Sequence, residues 1–223
     1  MKLCIVGSGV VGQATGKGFS KHGHDVTFLD IDSDKITQLN ETGLTAFHPD
    51  DYDSIATDMT LFSPSTPTVG NAVVLDHLLA SIETFAQKLR KHNGYHLVII
   101  RSTVPPGTTN TRIVPLIEKV SGKTAGRDFG IVMQPEFLRQ AVAEADFDRP
   151  WVILIGADDQ KAGDMVEELY RPFHAPIERL TIEEAEAQKY CHNLYNAVKI
   201  AFFNELRAIC KKEGWDSDKI FQA

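Results

Sequence analysis

The chain has 223 residues, 43% hydrophobic and 24% charged, a composition typical of a globular protein with one large domain or one and a half. Its net charge of −7, from 30 acidic and 23 basic residues, argues against the basic surface that nucleic-acid binding requires. No apolar stretch approaches the ~20 residues of a membrane span. The three cysteines, Cys4, Cys191 and Cys210, have no metal-ligand spacing, which predicts no metal site and suits a reducing cytoplasm.

Predicted strands and helices alternate along the chain, which indicates an α/β protein with a mostly parallel, doubly wound sheet. Strands are predicted near residues 2–6, 25–29, 58–62, 96–101, 128–133, 151–156 and 176–180. Helices are predicted near residues 11–22, 33–41, 73–91, 109–121, 160–171 and 183–213. The polar segment 43–57 is predicted to form a loop or a short helix.

The first strand leads directly into the motif G-x-G-x-x-G, at Gly7, Gly9 and Gly12. Gly7 allows a tight turn, Gly9 lets the backbone approach a pyrophosphate, and Gly12 lets the next helix pack close to the strand. That helix directs its free N–H groups at the phosphates, so Val10 and Val11 are candidate cofactor-binding residues. The pattern predicts a Rossmann-like dinucleotide-binding unit; the alternative is a glycine-rich turn without a ligand.

Asp30 ends the second apolar run, eighteen residues after Gly12, and can accept hydrogen bonds from ribose hydroxyls. Its negative charge would repel the 2′-phosphate of NADP, and the following Ile31-Asp32-Ser33 supplies no arginine to neutralise one. The sequence therefore predicts NAD as the cofactor.

Hydroxyl-bearing segments follow the next two strands. Thr66 lies in a Ser- and Pro-rich segment after strand 58–62, and Ser102 and Thr103 come directly after strand 96–101. Ligands of open α/β sheets bind beyond the carboxyl ends of the strands, so these hydroxyls are candidates to face the cleft. Two prolines then fix a rigid turn, after which Thr108 or Thr109 can cap the next helix. The alternative is that all these hydroxyls serve as helix caps.

Glu136 follows Pro135 just after strand 128–133, and Phe137 and Leu138 come next. Two large apolar neighbours would partly desolvate the carboxyl group, which suits a general base or a carboxylate that orients water. The alternative is a surface glutamate at the start of a helix.

Residues 183–213 contain neither Gly nor Pro and predict one helix of about 30 residues, which Gly214 ends. We therefore divide the chain into a nucleotide-binding domain, 1–182, and a second, truncated domain, 183–223. Lys189 and Asn193 lie on one face of the helix, ~6 Å apart along its axis, and can together bind an oxyanion or a sugar hydroxyl. The alternative for Lys189 is a solvated surface lysine.

Taken together, these segments resemble the UDP-glucose/GDP-mannose dehydrogenase family over essentially the whole chain. Their order and spacing carry the resemblance. The markers are Gly7–Gly12 with Asp30, Asp32 and Lys35; Thr66-Pro67; Ser102–Thr108; Pro135–Arg139; and Glu186, Lys189 and Asn193, followed by Asn204-Glu205.

The resemblance implies an enzyme that oxidises a nucleotide-sugar alcohol to a carboxylate in two NAD-dependent steps, through a thioester on a cysteine. Lys35, Thr66 and Thr103 would join the glycine motif in binding NAD. The resemblance further implies a homodimer that forms through the long helix. The roles implied at the substrate are water activation by Thr103 and Glu136, oxyanion stabilisation by Lys189 and Asn193, and sugar binding by Phe137, Leu138 and Arg139.

The chain departs from the family pattern in three places. The Gly-Gly-x-Cys-Leu-Pro-Lys-Asp motif of the nucleophile is absent, and the three cysteines lie in other contexts. We therefore expect a fragment that binds NAD without completing the oxidation. Gln134 and Gln140 stand where the family has Asn and an acid, and the stretch between Asn40 and strand 58–62 is short.

Two other interpretations remain open. A 2-hydroxyacid or 6-phosphogluconate-type dehydrogenase also joins such a domain to a long helix, and would use Lys189 and Asn193 without a thiol. A non-catalytic nucleotide-binding scaffold would explain Gln140 and the missing nucleophile.

Overall fold

The computed structural model describes residues 1–52 and 55–222. Its strands are β1 (Lys2–Val6), β2 (Asp25–Leu29), β3 (Thr45–Phe47), β4 (Met59–Phe62), β5 (Thr68–Val69), β6 (Ala72–Val73), β7 (His96–Ile100), β8 (Phe129–Met133), β9 (Ile153–Gly156) and β10 (Ile177–Leu180). Its α-helices are α1 (Val10–Lys21), α2 (Ser33–Glu41), α3 (Asp76–Leu89), α4 (Val114–Ser121), α5 (Ala143–Asp148), α6 (Gln160–Tyr170), α7 (Ile182–Glu213) and α8 (Ser217–Gln222).

Eight strands form one sheet in the order β10-β9-β8-β7-β4-β1-β2-β3, and β5 and β6 form a separate short hairpin. The six strands from β8 to β3 run parallel to one another. β9 and β10 are parallel to each other, and β9 is antiparallel to β8. The strand order reverses direction at β1, which places a ligand crevice at the carboxyl ends of β1 and β4.

Helices cover both faces of the sheet, as continuous apolar strands require. One core lies between the sheet and α3, α4 and the first turn of α7; it contains Leu78, Ile82 and Ile117. The other lies under α1, α5 and α6, where Phe19 packs edge-to-face against Phe147 with ring centroids 5.1 Å apart. The predicted fold class, a Rossmann-like doubly wound sheet followed by a long helix, is confirmed.

Several local predictions were wrong. Segment 43–57 has the predicted short helix, a 3-10 turn at Pro49–Asp51, but it also contains a third parallel strand, β3, that was not predicted; its Asp53 and Ser54 lie outside the described residues. The helix predicted from residue 73 begins at Asp76, because residues 72–73 pair with β5. The start of the helix predicted over 109–121 is π-helical, over Thr109–Ile113. Helix α5 was not predicted.

The chain divides into two compact units, Met1–Ala187 and Gln188–Ala223. The second unit consists of most of α7 together with α8. Within it α8 folds back along α7, so that the rings of Phe203 and Phe221 lie 5.2 Å apart and Arg207 reaches Asp218 at 3.5 Å.

Candidate functional site

The glycine motif forms a tight turn that side chains would obstruct. Gly7 has a φ of +88°, and a Cβ there would lie 2.9 Å from the backbone nitrogen of Pro64. A Cβ on Gly12 would lie 1.9 Å from the carbonyl oxygen of Gly7. A Cβ on Gly9, by contrast, would meet no atom of the described residues within 4 Å. The turn therefore leaves open space beside Gly9, where a ligand can approach the backbone.

Helix α1 begins at this open space. Gly9 is its N-cap residue and supplies no side-chain cap. The helical hydrogen bonds start with the Gln13 N–H, which donates to the Gly9 carbonyl oxygen at 2.9 Å. The N–H groups of Val10, Val11 and Gly12 precede that bond, so they have no partner within the helix and can receive an anion.

Asp30 lies at the end of β2, 9% exposed, beside the glycine turn. One carboxylate oxygen accepts the backbone N–H and the hydroxyl of Ser8, both at 2.6 Å, and the other accepts the Asp32 N–H at 3.0 Å. Burial raises the pKa of Asp30, but these hydrogen bonds and the Lys35 ammonium outweigh it, so the pKa lies below its ordinary value. Asp30 is therefore a fixed anion at neutral pH.

Lys35 lies close to two carboxylates, 3.9 Å from Asp30 and 3.5 Å from Asp32. Its positive charge is thus balanced within the protein.

The loops after β4 and β7 are joined by two hydrogen bonds. The Thr66 hydroxyl donates to the Thr103 carbonyl oxygen, and the Ser102 hydroxyl donates to the Pro64 carbonyl oxygen, each at 2.6 Å. The hydroxyls of Thr66 and Ser102 therefore join loops and do not cap helices. These bonds hold the Ser102–Thr103 segment beside the glycine turn.

The turn that follows Thr103 is not capped by Thr108 or Thr109, contrary to expectation. The carboxylate of Glu186, in the first unit's part of α7, accepts the backbone N–H groups of Gly107 at 2.5 Å and Thr109 at 2.8 Å. Burial raises the pKa of Glu186 more than these hydrogen bonds lower it. The Thr108 hydroxyl donates to the Pro105 carbonyl oxygen instead.

Glu136 lies in the loop after β8, half-buried. One of its carboxylate oxygens accepts the backbone N–H of Leu138 at 2.7 Å. This bond folds the side chain back toward its own loop.

These elements surround one cavity of about 810 Å³ in the first unit, a size suited to a dinucleotide-sized ligand. Nine of the residues predicted to form the site line it. They are Gly7, Gly9, Val10, Val11, Asp30, Lys35, Thr66, Thr103 and Glu136. Gly12 lies behind the turn, and its lack of a side chain makes the turn possible.

The three candidate sugar-binding residues after Glu136 are not among those that line this cavity. Phe137 contacts Trp151, with ring centroids 5.5 Å apart, and Leu138 packs against the core under α1. Arg139 is held by Asp146, with its Nη2 2.7 Å from one carboxylate oxygen and its Nε 3.0 Å from the other.

Lys189 and Asn193 belong to the second unit. They lie one helical turn apart on α7; the Lys189 side chain is buried and that of Asn193 is exposed.

Sequence reasoning missed a buried polar cluster that also reaches the cavity. Arg101, 3% exposed, donates to the side-chain oxygen of Gln134 and to the hydroxyl of Tyr170. The available signal was a charged residue directly after the apolar run Leu97–Ile100.

Within residues 1–52 and 55–222, no cluster of His, Cys, Asp and Glu suits a metal ion, and no helix could cross a membrane.

Comparison with known proteins identifies similar chains. The model of the NAD binding domain of the UDP-glucose/GDP-mannose dehydrogenase family matches residues 1–59 and 51–174, and that of the family's central domain matches residues 183–223. The chain is 36% identical to GDP-mannose 6-dehydrogenase of Pseudomonas aeruginosa and 34% identical to UDP-glucose 6-dehydrogenase AglM of Haloferax volcanii. The alignments cover 99% and 100% of this chain, but 55% and 57% of those proteins.

Among solved structures, a ternary complex of GDP-mannose dehydrogenase from Pseudomonas aeruginosa superposes with a TM-score of 0.94 at 35% identity, covering 100% of this chain and 56% of that one. A Mycobacterium tuberculosis 3-hydroxyisobutyrate dehydrogenase reaches 0.71 at 15% identity over 99% of this chain and 68% of that one, which shows a shared fold alone. The chain thus spans about half the length of the curated relatives it matches. The predicted family resemblance and NAD as the cofactor are confirmed.

Proposed function

We propose that this chain, which belongs to the UDP-glucose/GDP-mannose dehydrogenase family, forms the NAD-binding part of a nucleotide-sugar 6-dehydrogenase. The observation that carries the proposal is the single cavity in which the glycine turn and Asp30 meet Thr103 and Glu136. The glycine turn and Asp30 suit a dinucleotide. Thr103 and Glu136 supply a hydroxyl and a carboxylate for acid–base chemistry beside it.

The sheet order sets the direction of the cofactor. The pyrophosphate belongs at the N-terminus of α1, after β1, and the adenosine ribose at Asp30, after β2. The nicotinamide half must then extend to the other side of β1, over the ends of β4 and β7. Thr66 and Thr103 lie at those two strand ends, which supports both as cofactor-binding residues.

NAD supplies the hydride acceptor when bound. We assign Thr103 and Glu136 to the positioning and activation of water, because both line the cavity and follow β7 and β8, on the side of β1 that we assign to the nicotinamide. We assign Lys189 and Asn193 to stabilising negative charge that develops on the substrate oxygen, as the family resemblance implies. We keep Phe137, Leu138 and Arg139 as proposed sugar contacts on the same ground. Of these three residues, Arg139 would have to break its ion pair with Asp146 before its guanidinium could contact the sugar.

The substrate class that we propose is a nucleotide sugar of the UDP-glucose or GDP-mannose type. Because the family's cysteine motif is absent from these 223 residues, we expect the chain by itself to give no net oxidation. The unpaired cysteines support a reducing, cytoplasmic location.

Calorimetric titration tests the cofactor assignment. NAD should bind at least about tenfold more tightly than NADP, because ionised Asp30 opposes a 2′-phosphate and Lys35 is already balanced by two carboxylates. Asp30→Ala should reduce the difference in affinity between NAD and NADP. Asp34→Ala, at an exposed position on α2, should leave that difference unchanged. Tighter binding of NADP by the unmodified chain would contradict the assignment.

We also propose that α7 forms a homodimer. The second unit exposes large apolar side chains along this helix, including Leu194 at 62%, Val198 at 68% and Phe202 at 58%. Exposed apolar surface of this kind marks an interface in a water-soluble protein. Light scattering should give a molar mass twice that of the 24.7 kDa monomer. The double substitution Val198→Glu and Phe202→Glu should reduce the measured mass to that of one monomer. A monomeric unmodified chain would refute the dimer; Lys212→Glu, at an exposed polar position, is the control.

A further inference from the structure

Arg101 is a buried cation whose side chain directly contacts neutral groups. It follows β7 directly and is 3% exposed. Its Nη1 donates to the side-chain oxygen of Gln134 and, at 3.0 Å, to the hydroxyl of Tyr170, which itself donates to Gln134 at 3.0 Å. The guanidinium carbon lies 5.9 Å from the centre of the Phe147 ring, and Nε has no hydrogen-bond partner among the described residues.

In the described part of the chain Arg101 forms no ion pair with a carboxylate. Other arginines, such as Arg139 and Arg179, form ion pairs with acidic side chains at the surface. A buried charge ordinarily has a partner of opposite sign, because its removal from water is otherwise costly. The field of an unpaired buried charge is also poorly screened by the protein interior. The positive potential of Arg101 therefore acts on its surroundings.

The surroundings include the nicotinamide end of the cavity. The backbone N–H of Arg101 donates to the Phe62 carbonyl oxygen at 2.8 Å, and that of Gln134 donates to the Ile100 carbonyl oxygen at 2.9 Å. Arg101 thus lies at the carboxyl ends of β4, β7 and β8, and it lines the same cavity as Thr103 and Glu136.

We infer that Arg101 shifts the affinity of this cavity toward the reduced dinucleotide. The inference rests on the proposed function, in particular on nicotinamide lying over the ends of β4 and β7. The oxidised ring carries a positive charge that the reduced ring lacks, so a nearby buried cation disfavours the oxidised form selectively. A site that binds the reduced form relatively better also makes the bound oxidised form a stronger hydride acceptor.

Gln134 gives this arrangement a specific test, because it contacts the guanidinium directly. Gln134→Glu replaces the amide with a carboxylate of nearly the same shape and neutralises Arg101 in place. Arg101→Gln removes the charge and keeps a hydrogen-bond donor. Tyr170→Phe removes one hydroxyl from the cluster without changing any charge, and is the matched control.

The measurement is the ratio of the dissociation constants of NAD⁺ and NADH, obtained for each purified 223-residue variant by calorimetry or fluorescence. Arg101→Gln and Gln134→Glu should each lower this ratio by about three- to tenfold, the scale of two unit charges several ångströms apart when solvent screens most of their interaction. Tyr170→Phe should leave the ratio near that of the unmodified chain.

A ratio that stays constant while both affinities weaken together would show that Arg101 is purely structural and overturn the inference. If Arg101→Gln does not fold, Gln134→Glu alone decides, since it retains the arginine. Failure of the unmodified chain to bind either dinucleotide would instead refute the proposed function, which keeps the two failures distinguishable.

Discussion

Gly12→Ala is expected to destabilise the first unit by about 3 kcal/mol, at the upper end of the usual cost of overpacking. The added Cβ would lie 1.9 Å from the carbonyl oxygen of Gly7 and 3.1 Å from its carbonyl carbon. Neither atom can rotate away, because both belong to the backbone of the turn itself. Relieving the overlap would separate α1 from β1 and distort the proposed pyrophosphate site. Thermal or urea unfolding of the purified chain measures the loss.

Gly9→Ala is the matched control for that result. A Cβ at Gly9 meets no atom within 4 Å in the part of the chain that the structure describes, and the residue has a φ of −69°, which alanine adopts freely. Its unfolding free energy should stay within about 0.5 kcal/mol of the unmodified chain. NAD affinity should nevertheless fall at least about tenfold, because the methyl group occupies the space in which a pyrophosphate approaches the backbone. Unchanged NAD binding in Gly9→Ala would argue against a phosphate at this turn.

Lys189→Ala is expected to lower kcat by about 10²–10³-fold with little change in KM, as for the loss of one oxyanion donor. The reason is that the proposed contact strengthens only as negative charge develops on the substrate oxygen. The assay requires an active form of the enzyme with nucleotide sugar and NAD, followed by NADH absorbance. Lys212→Ala, which removes an exposed lysine from the same helix, should leave both constants unchanged.

A different kinetic pattern would revise the role of Lys189. A raised KM with an unchanged kcat would make it a contact to the bound substrate in its ground state. A loss of both kcat and thermal stability would make it a structural residue of the second unit.

The sequence predicted those elements whose signals are local. The glycine motif, Asp30 and the first two apolar strands follow one another at fixed spacings within the first 30 residues. Each spacing has a steric or electrostatic reason. Strand β3 was missed because it has only three residues, of which one is buried, so neither length nor alternation marks it. The π-helical turn at Thr109–Ile113 was missed because helical periodicity does not distinguish it from an α-helix.

The parts of the site that sequence reasoning missed are all non-local. The Arg101 cluster joins residues separated by 33 and 69 positions, and Glu186 reaches Gly107 across 79 positions. Each of these side chains is ordinary in its own sequence neighbourhood. The sheet brings the carboxyl ends of distant strands to one edge, and the helices α6 and α7 supply Tyr170 and Glu186.

An experimental structure of this chain with NAD bound would test the proposed position of the cofactor most directly. Pyrophosphate oxygens should lie at the N–H groups of Val10 and Val11, a ribose hydroxyl within hydrogen-bond distance of Asp30, and the nicotinamide ring beside Thr103 and Glu136. A dinucleotide bound in the reverse direction, or outside the 810 Å³ cavity, would rule out this position.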